Sequence, residues 1–260
     1  MTNWYLINDK APRSATENMA RDEYLFDLCH ERKAGFFRVY SWANPTFSFG
    51  ASQQVAKVLD LQYIEDNGFS YVRRITGGKA VLHDNEITYA IISSEDIFYK
   101  QNDLYQSYLL IAKVLVDAFR RLGLDPSLSA GSPSTWSKSN NPCFSFPTPN
   151  EIEIAGKKII GSAQKRDNSA LLQHGSIPIT MDYDRYARGT HSRAELIERS
   201  MTTLAQVSRK SRVDLMTALI ESFQSFVNSP LQEFDFEKNQ EREIAILEKK
   251  YDSKDWNFSR

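Results

Sequence analysis

Cysteine is the residue type in this 260-residue chain best suited to covalent catalysis, and the chain has two, Cys29 and Cys143. Cys29 recurs with Met19 and Phe26 at the spacing of one helix face, which predicts an inert thiol in the core. Cys143 lies in the proline-flanked segment 141–147, outside any predicted helix or strand. A thiol in such a segment is either a small apolar filler or an accessible nucleophile, and both interpretations stay open here.

A lysine can make a cysteine reactive, because a nearby ammonium favours the thiolate over the thiol. Lys158 lies beside the tight turn predicted at Gly156 and Lys157, and its own sequence context gives no sign of this role. Taken alone, a lysine at a hairpin turn is more often a solvated surface residue. Lys158 therefore gains weight as a catalytic residue only together with Cys143.

Two adjacent glycines, Gly77 and Gly78, lie between two predicted strands. A phosphate-binding loop would need glycine at position 73 and serine or threonine at position 80, but the chain has Arg73 and Ala80. Backbone amides beside a glycine pair can still approach a ligand oxygen closely. A simple hairpin turn explains the pair equally well.

Polar side chains at strand ends and on the first helix are further candidates. His83 and His174 lie at predicted strand ends and could donate into a pocket, although lone histidines are more often structural. Asn18 and Asp22 fall near the apolar face of the first helix, either as its polar edge or as hydrogen-bonding partners of a loop near a pocket. Neither the four histidines nor the two cysteines have the spacing of metal ligands, so no metal site is expected.

The elements that must position these residues follow from periodicity and capping signals. We predict strands at Trp4–Ile7, Phe36–Trp42, Thr46–Phe49, Tyr71–Ile75, Ile87–Ile92, Glu151–Ala155, Lys158–Ser162 and Ala170–Ile179. We predict helices after a capping box at Ser14–Glu17, over Leu104–Leu122, at about 193–207 after a second capping box at Ser192–Glu195, and at about 211–227 and 237–251. The order favours an α+β fold with mixed and antiparallel sheets flanked by helices, in one domain over 1–260 with a helical C-terminal segment at about 193–260.

Composition excludes several classes of protein. With 41% hydrophobic and 25% charged residues, the chain has the composition of a globular protein. Lys plus Arg (32) nearly equals Asp plus Glu (33), so there is no general basic field for nucleic acid. The N-terminus is too short and polar for a signal peptide, and no apolar window suits a membrane span, so a cytoplasmic protein is expected.

Three segments carry a specific pattern: Arg73–Asp84, which reads RRITGGKAVLHD, Gly156–Gln164, which reads GKKIIGSAQ, and Gln173–Ser176, which reads QHGS. They resemble the lipoate and biotin protein ligase and octanoyltransferase superfamily. Within it, octanoyltransferases of the LipM type have Arg-Arg-x-Thr-Gly-Gly-Arg-Ala-Val-Leu-His-Asp and a cysteine segment that Asn-Pro-Cys-Phe at 141–144 matches. Lys79 replaces the arginine, whereas ATP-dependent ligases typically have a third glycine there and often a further C-terminal domain.

The resemblance implies the biotin and lipoate protein ligase-like catalytic fold and an acyltransferase. It implies transfer of an octanoyl group from acyl carrier protein to a lysine of a lipoyl-domain protein, such as glycine cleavage protein H, through a thioester on Cys143, with no ATP or metal. No nucleic-acid or membrane partner is expected. The alternatives are an ATP-dependent lipoate-protein ligase, a lipoyl-domain amidotransferase of the same superfamily, and a non-catalytic lipoyl-domain binding subunit.

The resemblance also implies the site residues. Cys143 and Lys158 would be catalytic. Substrate would be bound by Arg73, Arg74, Thr76, Gly77, Gly78, His83, Gly161, Ser162, Ala163, His174 and Gly175. A basic rim at the mouth of the site would attract acidic protein partners, and its expected members are Arg73, Arg74, Lys79, Lys157, Lys165 and Arg166.

Overall fold

The computed structural model of the chain describes residues 3–99, 103–129 and 151–260. In chain order, its elements are β1 (Asn3–Asn8), α1 (Ala15–Glu31), β2 (Ala34–Tyr40), β3 (Thr46–Phe49), α2 (Val55–Val58), α3 (Leu61–Asp66), β4 (Ser70–Arg73), β5 (Val81–His83), β6 (Glu86–Ser93), α4 (Asp96–Tyr99), α5 (Leu104–Arg121), β7 (Pro126–Leu128), β8 (Ile152–Ile154), β9 (Lys157–Lys158), β10 (Gly161–Arg166), β11 (Leu171–Pro178), α6 (Tyr183–Gly189), α7 (Ala194–Ser200), α8 (Leu204–Val207), α9 (Arg212–Val227), β12 (Gln232–Glu233), α10 (Lys238–Asp252) and α11 (Lys254–Asn257). Cys143 lies outside the described residues.

A mixed main sheet has the strand order β10-β11-β6-β2-β1-β12. Strand β1 runs parallel to β2 and β12, whereas β10, β11, β6 and β2 pair antiparallel. Successive residues of the central strands point to opposite faces, and both faces are buried. Phe37 and Ile91 pack with α5 and α9, while Phe36 and Ile92 pack with α1 and α10. The expected α+β fold with helices on both sides of a mixed sheet is confirmed.

Two smaller sheets position Lys158 and the loop that contains Gly77 and Gly78, here called the glycine loop. Strands β4-β3-β5 form one, in which β3 is parallel to β4 and antiparallel to β5. Strands β7-β8-β9 form the other. The β8–β9 hairpin turns at Ala155 (φ 51°) and Gly156 (φ 73°), both in the left-handed region that a type I′ turn requires.

Helix α5 agrees closely with its prediction. Asp103 and Gln106 form a capping box at its N-terminus, and Gly123 follows its end with φ 78°. Its apolar face, with Ile111, Leu115 and others, packs against the main sheet. Along the described part of the chain, no helix combines the length and the apolar character that crossing a bilayer requires.

Three local predictions need correction. Ser192 does not begin α7: the N-cap is Arg193 without a side-chain cap, and the buried Ser192 hydroxyl has no hydrogen-bond partner within the described residues. The helix predicted at 193–207 is divided into α7 and α8, because the chain pairs with Lys158 at Met201. The strand predicted at Lys158–Ser162 is also divided, since β9 ends at Lys158 and β10 begins at Gly161.

Candidate active site

A cavity lies between the β4-β3-β5 sheet and strands β10 and β11 of the main sheet. Eight of the residues predicted to bind substrate are among those that line it: Arg74, Gly78, His83, Gly161, Ser162, Ala163, His174 and Gly175. The remaining lining residues are Met19, Tyr40, Trp42, Ser48, Lys79, Val81, Thr88 and Ser176. Segments far apart in the sequence therefore meet around one small space.

The mouth and the floor of the cavity differ in exposure. Gly78 is exposed, and Lys79, Ser162 and Ala163 are half-buried, so these residues form the mouth. Met19, Tyr40, Trp42, Thr88 and Ser176 are buried and form the floor. A ligand entering beside Gly78 would thus pass the glycine loop and β10 before it reached the floor.

The Gly77–Gly78 loop is held by close backbone packing. A methyl group added to Gly50 would overlap the Gly78 carbonyl oxygen and lie 3.0 Å from the Gly77 carbonyl carbon. Gly78 itself has φ 88°, which an L side chain rarely adopts. Arg74 Nη2 donates to the carbonyl oxygens of Gly77 (3.0 Å) and Lys79 (3.1 Å) from the buried side.

Gly175 allows Tyr89 and Ser162 to meet beside the cavity. A Cβ at position 175 would lie 2.6 Å from Tyr89 Cε1 and 2.7 Å from Ser162 Oγ. The two hydroxyls are 2.8 Å apart, and Gln173 Nε2 donates to the Tyr89 hydroxyl at 2.9 Å. Burial raises the pKa of Tyr89 to about 12, so its hydroxyl stays protonated and can donate to Ser162.

The two predicted pocket histidines each contact a buried carboxylate. His174 Nδ1 lies 2.9 Å from Asp22 Oδ2, and its Nε2 lies 2.8 Å from Thr76 Oγ1. His83 Nδ1 lies 3.0 Å from Glu86 Oε1, and its Nε2 lies 2.6 Å from Ser48 Oγ. His174 is therefore hydrogen-bonded at both nitrogens, whereas His83 is hydrogen-bonded at Nε2 and only in close contact with Glu86 at Nδ1.

Arg73 and Arg74 have separate environments. Arg73 is not among the described residues that line the cavity. Its guanidinium donates to five backbone carbonyl oxygens, those of Gly50, Ala51, Gln53, Trp256 and Asn257. It thus joins the glycine-loop region to α11. Because both arginines are also buried, neither lies on the expected basic rim.

Lys158 is buried, with 1% of its surface exposed, and its Nζ forms an ion pair with Glu151. The alternative of a solvated hairpin lysine is thereby wrong. Glu151 lines a second, narrow cavity with Tyr108, Ala112, Leu115, Ile152, Ile160, Ser162 and Gln173. Ser162 lines both cavities, so it lies between the Lys158–Glu151 pair and the glycine loop.

Cys29 has the environment of a structural thiol. It is buried in the cluster between α1 and the main sheet, and its Sγ contacts the Ala34 carbonyl oxygen at 3.5 Å. Burial raises the pKa of Cys29 to about 12, which keeps it as an unreactive thiol at neutral pH. Among the described residues, no group of three histidine, cysteine or acidic side chains is arranged to hold a metal ion.

Comparison with known proteins identifies the family. The family model described as "Lipoyl protein ligase A/B catalytic domain" matches residues 14–224. The chain belongs to the lipoyl protein ligase A/B catalytic-domain family.

Relatives in this family cover the whole chain. The octanoyltransferase LipM of Bacillus anthracis is 33% identical over 99% of this chain and 98% of its own length. That of Brevibacillus brevis is 34% identical over the full length of both proteins. Because these full-length relatives are octanoyltransferases, the chain is an acyltransferase of the lipoyl protein ligase A/B family.

Solved structures show the same fold. A bipartite lipoate protein ligase from Thermoplasma acidophilum superposes with a TM-score of 0.84 at 21% identity, over 99% of this chain and 97% of that one. Lipoate-protein ligase A bound with ATP gives a TM-score of 0.82 at 22% identity, over 99% and 98% of the two chains. The fold predicted from the motifs is therefore the fold of this family.

A buried ionic cluster lies behind the cavity and was not predicted from the sequence. Arg38, fully buried, contacts Asp9 Oδ2 and Asp22 Oδ1 at 2.7 Å, and Asn18 Oδ1 at the same distance. The signal that could have found it was the position of Asn18 and Asp22 on the buried face of α1. Asn18 does bond a backbone loop, through the Ser41 carbonyl oxygen (3.1 Å), whereas Asp22 contacts side chains.

The cluster and the two histidine–carboxylate pairs beside it contain groups whose pKa values are shifted by their surroundings. Burial lowers the pKa of His174, despite an opposing contribution from Asp22. Burial alone would raise the pKa of Asp22, but the His174 hydrogen bond and Arg38 bring it below its ordinary value. Burial alone would also raise the pKa values of Asp9 and Glu86, but Arg38 and Arg13 lower that of Asp9, and His83 with the Ser176 and Thr88 hydrogen bonds lowers that of Glu86.

We expect the free energy of unfolding to fall as the pH drops from 7 to 4. Because the unfolded chain takes up the His174 proton first, the loss begins near pH ~6.5 and continues as the carboxylates protonate below ~4.5. The total should be on the order of 1–3 kcal/mol, measured by urea unfolding.

His30 is the control for this prediction. Asp167 outweighs burial and raises the pKa of the exposed His30, so this pair contributes stability that is present at low pH and lost as the pH rises. His30→Gln should therefore leave the loss between pH 7 and 4 in place. A stability that stays constant or rises over this interval would contradict the assignment to the buried cluster.

Proposed function

We propose that this protein is an octanoyl-acyl-carrier-protein:protein N-octanoyltransferase of lipoate biosynthesis. It would move an octanoyl group from acyl carrier protein to a lysine of a lipoyl-domain protein, such as glycine cleavage protein H, through a thioester on Cys143. The proposed reaction takes place in the cytoplasm, in a single domain over 1–260, and needs neither ATP nor a metal. The observation that carries the proposal is the full-length similarity to octanoyltransferases LipM.

The first proposed step is an exchange of thioesters. The Cys143 thiolate attacks the carbonyl carbon of the octanoyl thioester, a sulfur–carbon bond forms, and the carrier-protein thiolate leaves and takes up a proton. One thioester replaces another, so the step needs no ATP. Backbone amides of the Gly77–Gly78 loop and of Gly161–Ala163 would stabilise the negative charge on the carbonyl oxygen.

The second proposed step is downhill, because an amide replaces a thioester. The neutral amine of the acceptor lysine attacks the thioester carbonyl, the carbon–nitrogen bond forms, and the Cys143 thiolate leaves. The amine gives up one proton, to a base or to the departing thiolate. Splitting the transfer into two steps lets one site serve the two protein partners in turn.

Lys158 is the proposed source of positive charge for both steps. Its ammonium would favour the Cys143 thiolate and polarise the substrate carbonyl. Its burial supports this role, since a lysine with 1% exposure is uncommon unless it is paired, and Glu151 supplies the pairing charge. In a site with little water, an ammonium acts more strongly than it would on the surface.

The proposed protein partners are acidic, and the basic residues that remain for attracting them are not buried. Lys79 lines the mouth, and Lys157, Lys165 and Arg166 are half-buried on β9 and β10. Such charges accelerate encounter more than they tighten the complex. We therefore assign the partner-facing side to the mouth between Lys79 and β10.

Intact-mass measurement tests the proposal directly. After mixing with octanoyl-acyl carrier protein without ATP, the chain should gain ~126 Da, the mass of an octanoyl group that replaces a proton. The gain should vanish in Cys143→Ser and persist in Cys29→Ser, the matched control for the second thiol. Adding a lipoyl-domain protein should then remove the octanoyl group from the enzyme and add it to the acceptor lysine.

Other outcomes would overturn the proposal. Product that forms only from free octanoate and ATP would identify an ATP-dependent ligase. Transfer from an octanoylated lipoyl-domain protein, with none from acyl carrier protein, would identify an amidotransferase. An unchanged mass with every donor, together with binding of the lipoyl domain, would identify a non-catalytic subunit.

A further inference from the structure

Arg74 is the point at which two buried chains of contacts meet. One runs from Asp22 through His174 to Thr76, and the other from Glu86 through His83 to Ser48. Arg74 Nε donates to Thr76 Oγ1 at 3.3 Å, and Nη1 donates to Ser48 Oγ at 2.6 Å. Each chain thus consists of a carboxylate, an imidazole and a hydroxyl, and each ends on a different nitrogen of one guanidinium. The Asp22 chain is hydrogen-bonded at each link, whereas Glu86 and His83 Nδ1 are in close contact without a hydrogen bond.

The third nitrogen of Arg74 reaches the glycine loop. Nη2 donates to the carbonyl oxygens of Gly77 and Lys79, so the guanidinium lies beneath the loop and bonds to both sides of Gly78. A planar guanidinium with its donors in a fixed fork transmits orientation as well as charge. Fixing Nε and Nη1 therefore fixes the direction in which Nη2 points.

The direction of each hydrogen bond in the Asp22 chain follows from the groups involved. The ionised Asp22 carboxylate can only accept, so His174 Nδ1 carries the proton. His174 is kept neutral by burial, which lowers its pKa, and Arg74 and His83 lower it further against the effect of Asp22. Nε2 must then accept from the Thr76 hydroxyl, which leaves the Thr76 oxygen free to accept from Arg74 Nε.

We propose that Asp22 and Glu86 are positioning residues for the Gly77–Gly78 loop, each acting through its histidine and hydroxyl on Arg74. Neither carboxylate lines the cavity, and both act at a distance from the reacting atoms. The consequence for catalysis rests on the proposed function, in which this loop faces the substrate carbonyl. The consequence for loop geometry does not depend on it.

Asp22→Asn is the variant that separates positioning from mere packing. The Oδ1 site must remain an acceptor, because it faces the buried Arg38 guanidinium at 2.7 Å. The new amide nitrogen therefore takes the Oδ2 site and donates to His174 Nδ1. His174 must then carry its proton on Nε2 and donate it to Thr76. The Thr76 oxygen has to accept from both the ring and Arg74 Nε, while its own hydroxyl proton loses its acceptor on the ring, so the already long Thr76–Arg74 bond is weakened.

Nuclear magnetic resonance measures this change without any substrate. In the parent protein, we expect His174 as the Nδ1-protonated tautomer and backbone order parameters near ~0.85 at Gly77, Gly78 and Lys79. In Asp22→Asn, we expect the Nε2-protonated tautomer and order parameters below ~0.6 at the same amides. The rate of octanoyl transfer per folded molecule should fall ~10–100-fold, mainly through kcat.

Asp9→Asn is the matched control. Asp9 is also a buried carboxylate paired with Arg38, at 2.7 Å, and its described contacts do not include either histidine. It should keep the parent tautomer, the ordered loop and a transfer rate within ~2-fold. Thr76→Val should lower the order parameters of the loop as Asp22→Asn does. Thr76→Ser, which keeps the hydroxyl, should leave them at the parent values.

Glu86→Gln tests the second chain by the same loop measurement. If Asp22→Asn and Glu86→Gln both leave the order parameters of Gly77–Lys79 at the parent values, the positioning role is overturned. Equal losses of loop order in Asp22→Asn and Asp9→Asn would also overturn it, since the effect would then follow the Arg38 pairing. If the protein transfers no octanoyl group, the proposed function is refuted. The order parameters of Gly77–Lys79 in the variants then still decide the positioning role, because they are measured without substrate.

Discussion

Lys158→Met should lower the rate of octanoyl transfer at least ~1,000-fold, the largest effect we expect from a described residue. Methionine keeps most of the buried volume of lysine but removes the ammonium that favours the thiolate and polarises the carbonyl. The measurement is single-turnover formation of the octanoyl enzyme, followed by intact mass. A rate within tenfold of the parent would remove Lys158 from the chemistry.

Stability must be separated from chemistry in this variant, because Lys158 is also the partner of Glu151. Removing one member of a buried ion pair typically costs ~3–5 kcal/mol, since the other charge is left uncompensated. The double variant Lys158→Met, Glu151→Gln should regain most of that stability in urea unfolding and still fail to transfer. Recovery of both stability and transfer would assign Lys158 a purely structural role.

Lys157→Met is the matched control on the same hairpin. Lys157 precedes Lys158 in β9, is half-buried, and donates from Nζ to the Glu198 carbonyl oxygen at 2.8 Å. Its loss removes the same charge from the neighbouring position without opening a buried pair. Transfer should stay within ~2-fold of the parent at saturating donor, with any change confined to the encounter rate.

Elements whose sequence signals are local are predicted well. The boundaries of β3 coincide with the predicted Thr46–Phe49. Helix α5 begins at the predicted Leu104, directly after its capping aspartate, and ends shortly before a glycine. Capping residues and alternation act within a few positions, so they can be recognised without the rest of the chain. The predicted capping box at Ser192 does not form, because the Ser192 amide donates instead to the Ala187 carbonyl oxygen near the end of α6.

The candidate site could be predicted in its members but not in their roles. Arg73 and Arg74 are adjacent and chemically identical, yet Arg74 lines the cavity while Arg73 binds α11. The difference arises from Trp256 and Asn257, which are more than 180 positions away in the sequence. The contact of Asp22 with His174, which are 152 positions apart, likewise depends on how distant segments pack, and periodicity does not encode that.

Gly50→Ala should lower octanoyl transfer per folded molecule about 100-fold. The added methyl group would overlap the carbonyl oxygen of Gly78, and this neighbour is backbone, so it cannot rotate away as a side chain could. The glycine loop must shift, and a displacement of ~1 Å at a reacting centre is enough for a loss of this size. Single-turnover octanoylation, normalised to the folded fraction, measures the effect.

Gly35→Ala separates loop displacement from overpacking alone. Its methyl group would lie 2.6 Å from Trp4 Cζ3, in the core between the main sheet and α9, where Trp4 packs on Phe223. Both variants should lose ~1–3 kcal/mol of unfolding free energy through overpacking. Only Gly50→Ala moves the loop that faces the cavity, so equal transfer rates in the two variants would show that the loop position does not govern the reaction.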